Sequence, residues 1–228
     1  YVYFRPADLD VEGSIEALKQ IKAMGLGAYL TTSSRSGVDS IKETIDILMQ
    51  KGILPDKLIV DHHSIDNASQ AASEYKIPLY ISAIMGFDGS NMMELIDLKS
   101  NFPSIDSVCL HHEAIFDPGL HDKVEALKRS GIEPILLANE SCLNKCPYRA
   151  DHYEHVALKH PNMPDNYQNL CLDIRETSPR TLKSLSGFVH PRLIDTVSEL
   201  TGITQFKITG MPSRGRNRTQ SESEQAIN

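Results

Sequence analysis

The amino-acid sequence predicts an α/β fold, a (β/α)8 TIM-type barrel, on two observations. Short β-type runs alternate with amphipathic helical segments, a pattern that indicates a parallel sheet. Eight such runs occur within 228 residues, a length slightly below the usual size of this fold. An open doubly wound sheet is the alternative, but the first turn between strand and helix lacks the glycine-rich phosphate loop that would favour it.

The eight predicted strands are short runs rich in β-branched, aromatic and other apolar residues: 1–4, 27–32, 57–61, 78–83, 107–112, 134–138, 185–189 and 205–209. The first run, YVYF, leads directly into Arg5 and Pro6. The prediction therefore includes an incomplete barrel that lacks its first strand or its last helix.

Five segments between these strands repeat apolar residues at helical spacing: 11–25, 37–52, 64–75, 90–100 and 121–131. Ile15, Leu18 and Ile21, for example, fall on one helical face, and Gly25 follows as a helix C-cap.

The domain organisation follows from where this alternation stops. One barrel-like domain is expected over residues 1–212, with an insertion at 139–184 after strand six. Long insertions inside a compact domain are usually functional. Residues 213–228 contain almost no large apolar side chains and are expected to form a flexible polar tail.

Composition excludes several classes of protein. The net charge of -7 provides no general positive field for nucleic acid backbones, although a local basic patch remains compatible with RNA. The apolar runs are too short to span a bilayer, so no membrane association is expected. Four cysteines do not make a disulfide framework at this length, which indicates a reducing cytoplasm.

Two of the four cysteines stand close together in ANESCLNKCPYRADHY, residues 138–153. On a helical turn, residues four apart share a face, so the thiolates of Cys142 and Cys146 would reach one centre. Cys171 lies in the same insertion, and thiolates are soft ligands for zinc or iron–sulfur clusters. Ordinary buried thiols are the alternative. Cys109, in the middle of a predicted strand, is either a core residue or a fourth ligand.

The segment ILLANESCLNKCPYRADHY closely resembles the cysteine-bearing segment of the collagenase-like peptidase family (peptidase family U, number thirty-two). The later stretch CLDIRETSPRTLKSLSGFVHPRLIDTVSELTGITQFKITG is similar to the part of such proteins that carries a Cys-x3-Arg element and a closing strand. The likeness spans about residues 14–210.

This resemblance implies a barrel-like fold and an oxygen-sensitive [4Fe–4S] cluster. It also implies kinship with the iron–sulfur proteins of oxygen-independent hydroxylation of ubiquinone precursors or RNA bases. Cys142, Cys146 and Cys171 match cysteines of the family pattern. Arg175, four residues after Cys171, is expected to donate to cluster sulfurs or, alternatively, to form a surface ion pair.

Histidines after strands three and five suggest a different metal site. Ligand-type residues follow both strands, and an alternative zinc or manganese site is expected from Asp61, His63 and His111, or from their neighbours His62, His112 and Glu113. Such a site would make the chain a metal-dependent hydrolase or peptidase. The alternative is that these histidines are polar loop residues, since no HExxH-like spacing accompanies them.

Four further residues are candidates for catalysis or substrate binding: Glu140, Arg149, His152 and Lys207. Glu140 stands beside the cysteines. Arg149 and His152 share a helical face that would either bind an anionic or aromatic substrate or form salt bridges and packing contacts within the insertion. Lys207 lies within strand eight, where an interior lysine needs a carboxylate partner or a Schiff-base role.

The cysteines predict an iron–sulfur protein, and the resemblance implies that it modifies a small molecule or an RNA base without oxygen. A non-catalytic, cluster-bearing subunit that works with a longer partner of the same family is the third possibility, alongside the metal-dependent hydrolase.

Overall fold

Strands and helices alternate along the chain in the computed structural model, which describes residues 2–3, 11–32, 36–146, 148–149, 151–152 and 186–208. Strands lie at all eight predicted places: β1 (Val2–Tyr3), β2 (Ala28–Thr31), β3 (Lys57–Val60), β4 (Leu79–Ile81), β5 (Ile105–Leu110), β6 (Glu133–Leu143), β7 (Ser186–Phe188) and β8 (Gln205–Ile208). The described α-helices are α1 (Val11–Ala23), α2 (Val38–Gln50), α3 (Ile65–Tyr75), α4 (Glu94–Asn101), α5 (Leu120–Arg129) and α6 (Ile194–Thr201).

Strands β1 to β6 lie side by side in chain order, all parallel, and form a half-barrel sheet. The last two strands both pair with β6: β8 lies along the edge opposite β5, and β7 pairs with the part of this 11-residue strand that extends past the end of β5. β7 runs antiparallel to β6 and β8 runs parallel to it. Asn139 pairs with both Phe188 and Ile208, so β7 and β8 lie on opposite sides of β6.

The predicted closed (β/α)8 barrel is wrong, although the α/β class is correct. Closure requires each strand to pair with the next and the last to meet the first. Here β8 pairs with β6, β7 is antiparallel, and no pairing joins β8 to β1 among the described residues. The strand positions were predictable from local patterns, whereas the choice of neighbour was not.

The sheet buries both of its faces, as expected for parallel strands. One face packs against α2 to α5 and supplies the larger core, with Leu58, Leu79 and Val108 from the strands meeting Ile45 and Leu127 from the helices. The opposite face holds a smaller buried cluster of strand residues with one residue from the turn after β4: Tyr29, Ile59, Tyr80, Ala83, Cys109, Ile135 and Leu137.

Glycines end several helices, as predicted. Gly25 after α1 and Gly202 after α6 have φ values of 72° and 74°, a left-handed conformation that side chains disfavour. Within the described residues, no helix combines the length and the apolar composition needed to cross a membrane.

Candidate functional site

The candidate site lies where β5 and β6 end. Carboxyl ends of neighbouring parallel strands meet at the same edge of a sheet, and in open α/β sheets ligands bind outside this edge. His111 directly follows β5 and caps the start of a short 3-10 helix, His112–Phe116. β6 runs on to Leu143, so the cysteine-bearing segment is brought beside that 3-10 helix.

A tight turn separates the two neighbouring cysteines. The Cys146 N–H donates to the Leu143 carbonyl at 3.2 Å, and Lys145 within the turn has a φ of 54°. The expected helical turn between Cys142 and Cys146 is therefore wrong: Cys142 lies in β6 and Cys146 follows a reversal of the chain. The reversal still returns Cys146 to the end of the strand that carries Cys142.

A mostly buried ion pair joins this turn to the 3-10 helix. Arg149 Nη2 donates to Glu113 Oε1 at 2.8 Å, and the two side chains are only 14% and 16% exposed. The same carboxylate oxygen accepts the backbone N–H of Lys145, and Arg149 Nη2 also donates to the Leu143 carbonyl at 2.6 Å. We call Glu113, Arg149, the Lys145 N–H and the Leu143 carbonyl the turn clamp.

A second contact lies beside the turn clamp. His112 Nε2 and Asn144 Oδ1 are 2.6 Å apart, so the imidazole N–H donates to the amide oxygen. His112 is completely buried. The 3-10 helix therefore holds three residues of the turn. The turn clamp contacts Leu143 and Lys145, and His112 contacts Asn144.

The turn clamp keeps Glu113 ionised. Burial alone would raise the pKa of this carboxyl group, but the hydrogen bonds from Arg149 and from the Lys145 N–H outweigh burial and lower the pKa to about 2. At neutral pH the clamp is therefore a carboxylate–guanidinium pair.

His111 beside the clamp is neutral, with a defined tautomer. Its Nδ1 accepts the Glu113 N–H at 3.3 Å, and Arg149 Nη1 lies 3.5 Å from the same atom. Because both neighbours are donors, the imidazole proton belongs on Nε2, a buried atom with no hydrogen-bond partner within the described part of the chain. Burial, then His112 and Arg149, lower the pKa of His111 to about 3.

His111, His112 and Glu113 form the group of described residues that is close enough for a metal ion, with potential ligand atoms within 4.8 Å of one another. Their hydrogen bonds fit a divalent ion poorly. Nδ1 of His111 and Oε1 of Glu113 already accept hydrogen bonds, and the Arg149 guanidinium adjoins both residues. A dication here would face that positive charge and would have to displace the turn clamp.

An iron–sulfur cluster is the group that the family resemblance implies, and of its expected ligands in the insertion the structure describes the side chain of Cys146 alone. Cys146 is half-buried and follows a turn that reverses the chain at the end of β6. Thiolates are the ligands of such clusters, so this side chain is of the right chemical type. The side chains of Cys142 and Glu140, and all of Cys171 and Arg175, lie outside what the structure describes.

The other predicted candidates lie away from this site or at its margin. Asp61 Oδ1 accepts the N–H groups of His63 and Ser64 at the start of α3, a capping arrangement, and His62 and His63 are exposed. Neither Asp61 nor His63 belongs to the possible metal group found among the described residues. His152 is half-buried, and its N–H donates to the Tyr148 carbonyl in a short helical stretch.

Cys109 and Lys207 lie on the sheet face opposite the larger core. Cys109 is fully buried in the smaller cluster, an environment that supports a packing role. Lys207 pairs in register with Leu137, and its Nζ lies 5.8 Å from the centroid of the Tyr80 ring. A lysine so close to an aromatic face gains a cation–π interaction.

Sequence reasoning missed the residues that hold the turn. Asn144, Lys145 and the Leu143 carbonyl were not predicted to matter, because two of them act through backbone atoms, which no side-chain pattern reveals. Glu113 was named only as a ligand type. The available signal was a pair of opposite charges: an acidic residue after β5 and an arginine after the cysteines, two places that lie at the same edge of the sheet.

Comparison with protein-family models finds no match for this chain, and comparison with curated proteins finds none either. The resemblance of the cysteine-bearing segment to the peptidase family stays a prediction.

Proposed function

We propose that this chain is an iron–sulfur protein of the reducing cytoplasm that acts in oxygen-independent hydroxylation of a small molecule or an RNA base. Cys142, Cys146 and Cys171 would bind a [4Fe–4S] cluster. The fourth ligand would come from Cys109, a small molecule or a partner of the same family. A bound cluster would supply one-electron transfer.

The observation that supports the proposal most is the position of the Cys146 turn. It lies at the carboxyl edge of the parallel sheet, and it is held there by an ion pair whose side chains are mostly buried. Charges with little exposure to water are costly unless they are paired, so the presence of this pair indicates that the position of the turn matters.

The residues around the turn would act on the cluster site by charge and hydrogen bonding. Arg149 would offset the negative charge of bound thiolates. His111 is buried, so its neutral imidazole would help to hold the turn clamp by accepting the Glu113 N–H.

The test is anaerobic purification, followed by measurement of iron, acid-labile sulfide and the visible spectrum. We expect about four irons and four sulfides per chain. Cys142→Ser, Cys146→Ser and Cys171→Ser should each lose most of the iron, whereas Cys109→Ala should keep it if Cys109 is a core residue. A colourless wild type without iron after anaerobic reconstitution would contradict the proposal.

A metal-dependent hydrolase is the second candidate: His111, His112 and Glu113 lie close together, although a dication there would have to displace the turn clamp. It predicts zinc or manganese bound in air, activity that depends on the metal, and tolerance of Cys142→Ser. Zinc titration by calorimetry of the wild type and of His112→Gln separates it from the first candidate, because only a histidine site loses zinc in that variant.

A further inference from the structure

The turn clamp joins two parts of the chain that are more than 30 residues apart. Glu113 belongs to the 3-10 helix after β5, whereas Lys145 and Arg149 flank Cys146. All the bonds converge on one side of the turn: one carboxylate oxygen accepts two donors, and one guanidinium nitrogen donates to that oxygen and to Leu143.

The turn itself has a conformation that needs support. Lys145 has a φ of 54°, and a residue other than glycine in this region is disfavoured. Such conformations persist only where the surroundings hold them. The Lys145 N–H is donated to Glu113, so the disfavoured residue is held directly by the clamp.

From this arrangement we propose that Glu113 is the positioning residue of the cysteine turn, holding Cys146 in the place from which its thiolate binds iron. This inference rests on the proposed function for the identity of the ligand, iron. The effect of Glu113 on the position of Cys146 does not depend on that function. Glu113 acts through Lys145 and Arg149 and does not itself touch the iron.

The test compares three variants. Glu113→Gln removes the charge while keeping the shape, and it weakens both hydrogen bonds, since charge-assisted bonds are roughly twice as strong as neutral ones. Glu113→Gln combined with Lys145→Gly adds a residue that adopts the left-handed conformation without support. Asp106→Asn is the matched control, because it removes an ion pair with Lys57, 2.8 Å long, at the other end of β5.

The first measurement uses metal-free, reduced protein and needs no cluster. Iodoacetamide alkylation is followed at each cysteine by mass spectrometry, with the fully buried Cys109 as the reporter of global opening. In Glu113→Gln we expect alkylation of Cys146 to become about tenfold faster, with Cys109 changed far less, because only the turn opens. The double variant should return Cys146 towards the wild-type rate, and Asp106→Asn should leave it unchanged.

The second measurement follows iron release to a chelator after anaerobic reconstitution. Loss of a residue that orients a metal ligand typically weakens metal binding by roughly tenfold to 100-fold, and we expect faster release of that order in Glu113→Gln, with rescue in the double variant.

The outcomes separate the two proposals. A wild type that binds no iron contradicts the proposed function. The alkylation rates then still decide whether the turn clamp positions Cys146. A wild type with iron, but with equal Cys146 alkylation in wild type and Glu113→Gln, overturns the positioning role alone. Equal acceleration at Cys146 and Cys109 also overturns it, since Glu113 would then support the whole fold and not the turn.

Discussion

At the scale of single residues, the most consequential feature is the pairing of Glu113 and Arg149 in a nearly buried site. Each charge would be costly there alone, so the two side chains depend on each other. His111 beside them stays neutral, because burial and the neighbouring Arg149 oppose a second positive charge. Both effects lead to measurable changes in stability.

Removal of the carboxylate should destabilise the fold strongly. Glu113→Ala leaves the Arg149 guanidinium without its carboxylate, and we expect the free energy of unfolding to fall by about 3 kcal/mol. The measurement is urea unfolding followed by circular dichroism. Asp106→Ala, in a more exposed ion pair, should cost about 1 kcal/mol or less. Equal losses in the two variants would show that the position of Glu113 has no special importance.

The free energy of unfolding should depend on pH through His111. Its pKa is about 3 in the folded chain and near 6.5 when unfolded, so between these values the unfolded state binds more protons and acid favours unfolding. This contribution is complete above pH 6.5, and we expect about 2 kcal/mol of it to be lost between pH 7 and pH 5. Glu113, with its lowered pKa, adds a further loss only below about pH 4.5.

Urea midpoints across that pH range, for the wild type and for His111→Asn, test this dependence. The variant should lose the pH dependence assigned to His111, whereas His63→Asn, which changes an exposed histidine, should retain it. A His111→Asn curve parallel to that of the wild type would mean that His111 is protonated normally in the folded chain.

At the scale of helices and turns, the chain ends its helices in two ways. Gly52 follows α2 with a φ of 76°, and Lys76 follows α3 with a φ of 54°. Glycine adopts this conformation freely and lysine does not. The two positions are therefore a matched pair for measuring the cost of a left-handed residue in this protein.

Introducing a glycine at one position and removing the glycine at the other should shift the free energy of unfolding in opposite directions. Lys76→Gly should raise the free energy of unfolding by up to about 1 kcal/mol, and Gly52→Ala should lower it by about 1 kcal/mol. Apart from its chain neighbours, no atom of the described residues lies within 4 Å of a Cβ added at Gly52, so the loss would come from the backbone alone. Thermal unfolding of both variants measures the two shifts, and shifts of the same sign would contradict this account.

At the scale of the whole molecule, the open half-barrel predicts a gradient of local stability. β4 lies between two paired strands, whereas β1 and β8 each have one described neighbour. Amides of β4 should exchange hydrogen at least about tenfold more slowly than those of β8. Native-state exchange followed by NMR or mass spectrometry tests this. Equal protection of β1, β4 and β8 would indicate a closed sheet.

The extent of what was predictable differs between the fold and the site. The strand positions, five helices and the glycine helix ends were visible in the sequence because each depends on local periodicity or on backbone preference. The polar residues after β5 were also visible. The contact between these residues and the cysteine turn was not visible. It depends on the length of β6, which continues for seven residues, Leu137 to Leu143, beyond the last position that pairs with β5.

The sequence by itself determined the alternation of strands and helices and the presence of two neighbouring cysteines after strand six. These properties follow from interactions between residues close in the chain. The tertiary structure alone decided that the sheet stays open, that β7 runs antiparallel, and that Glu113 meets Arg149. Each of these depends on which distant segments become neighbours, and that choice is made by strand length and packing across the whole sheet.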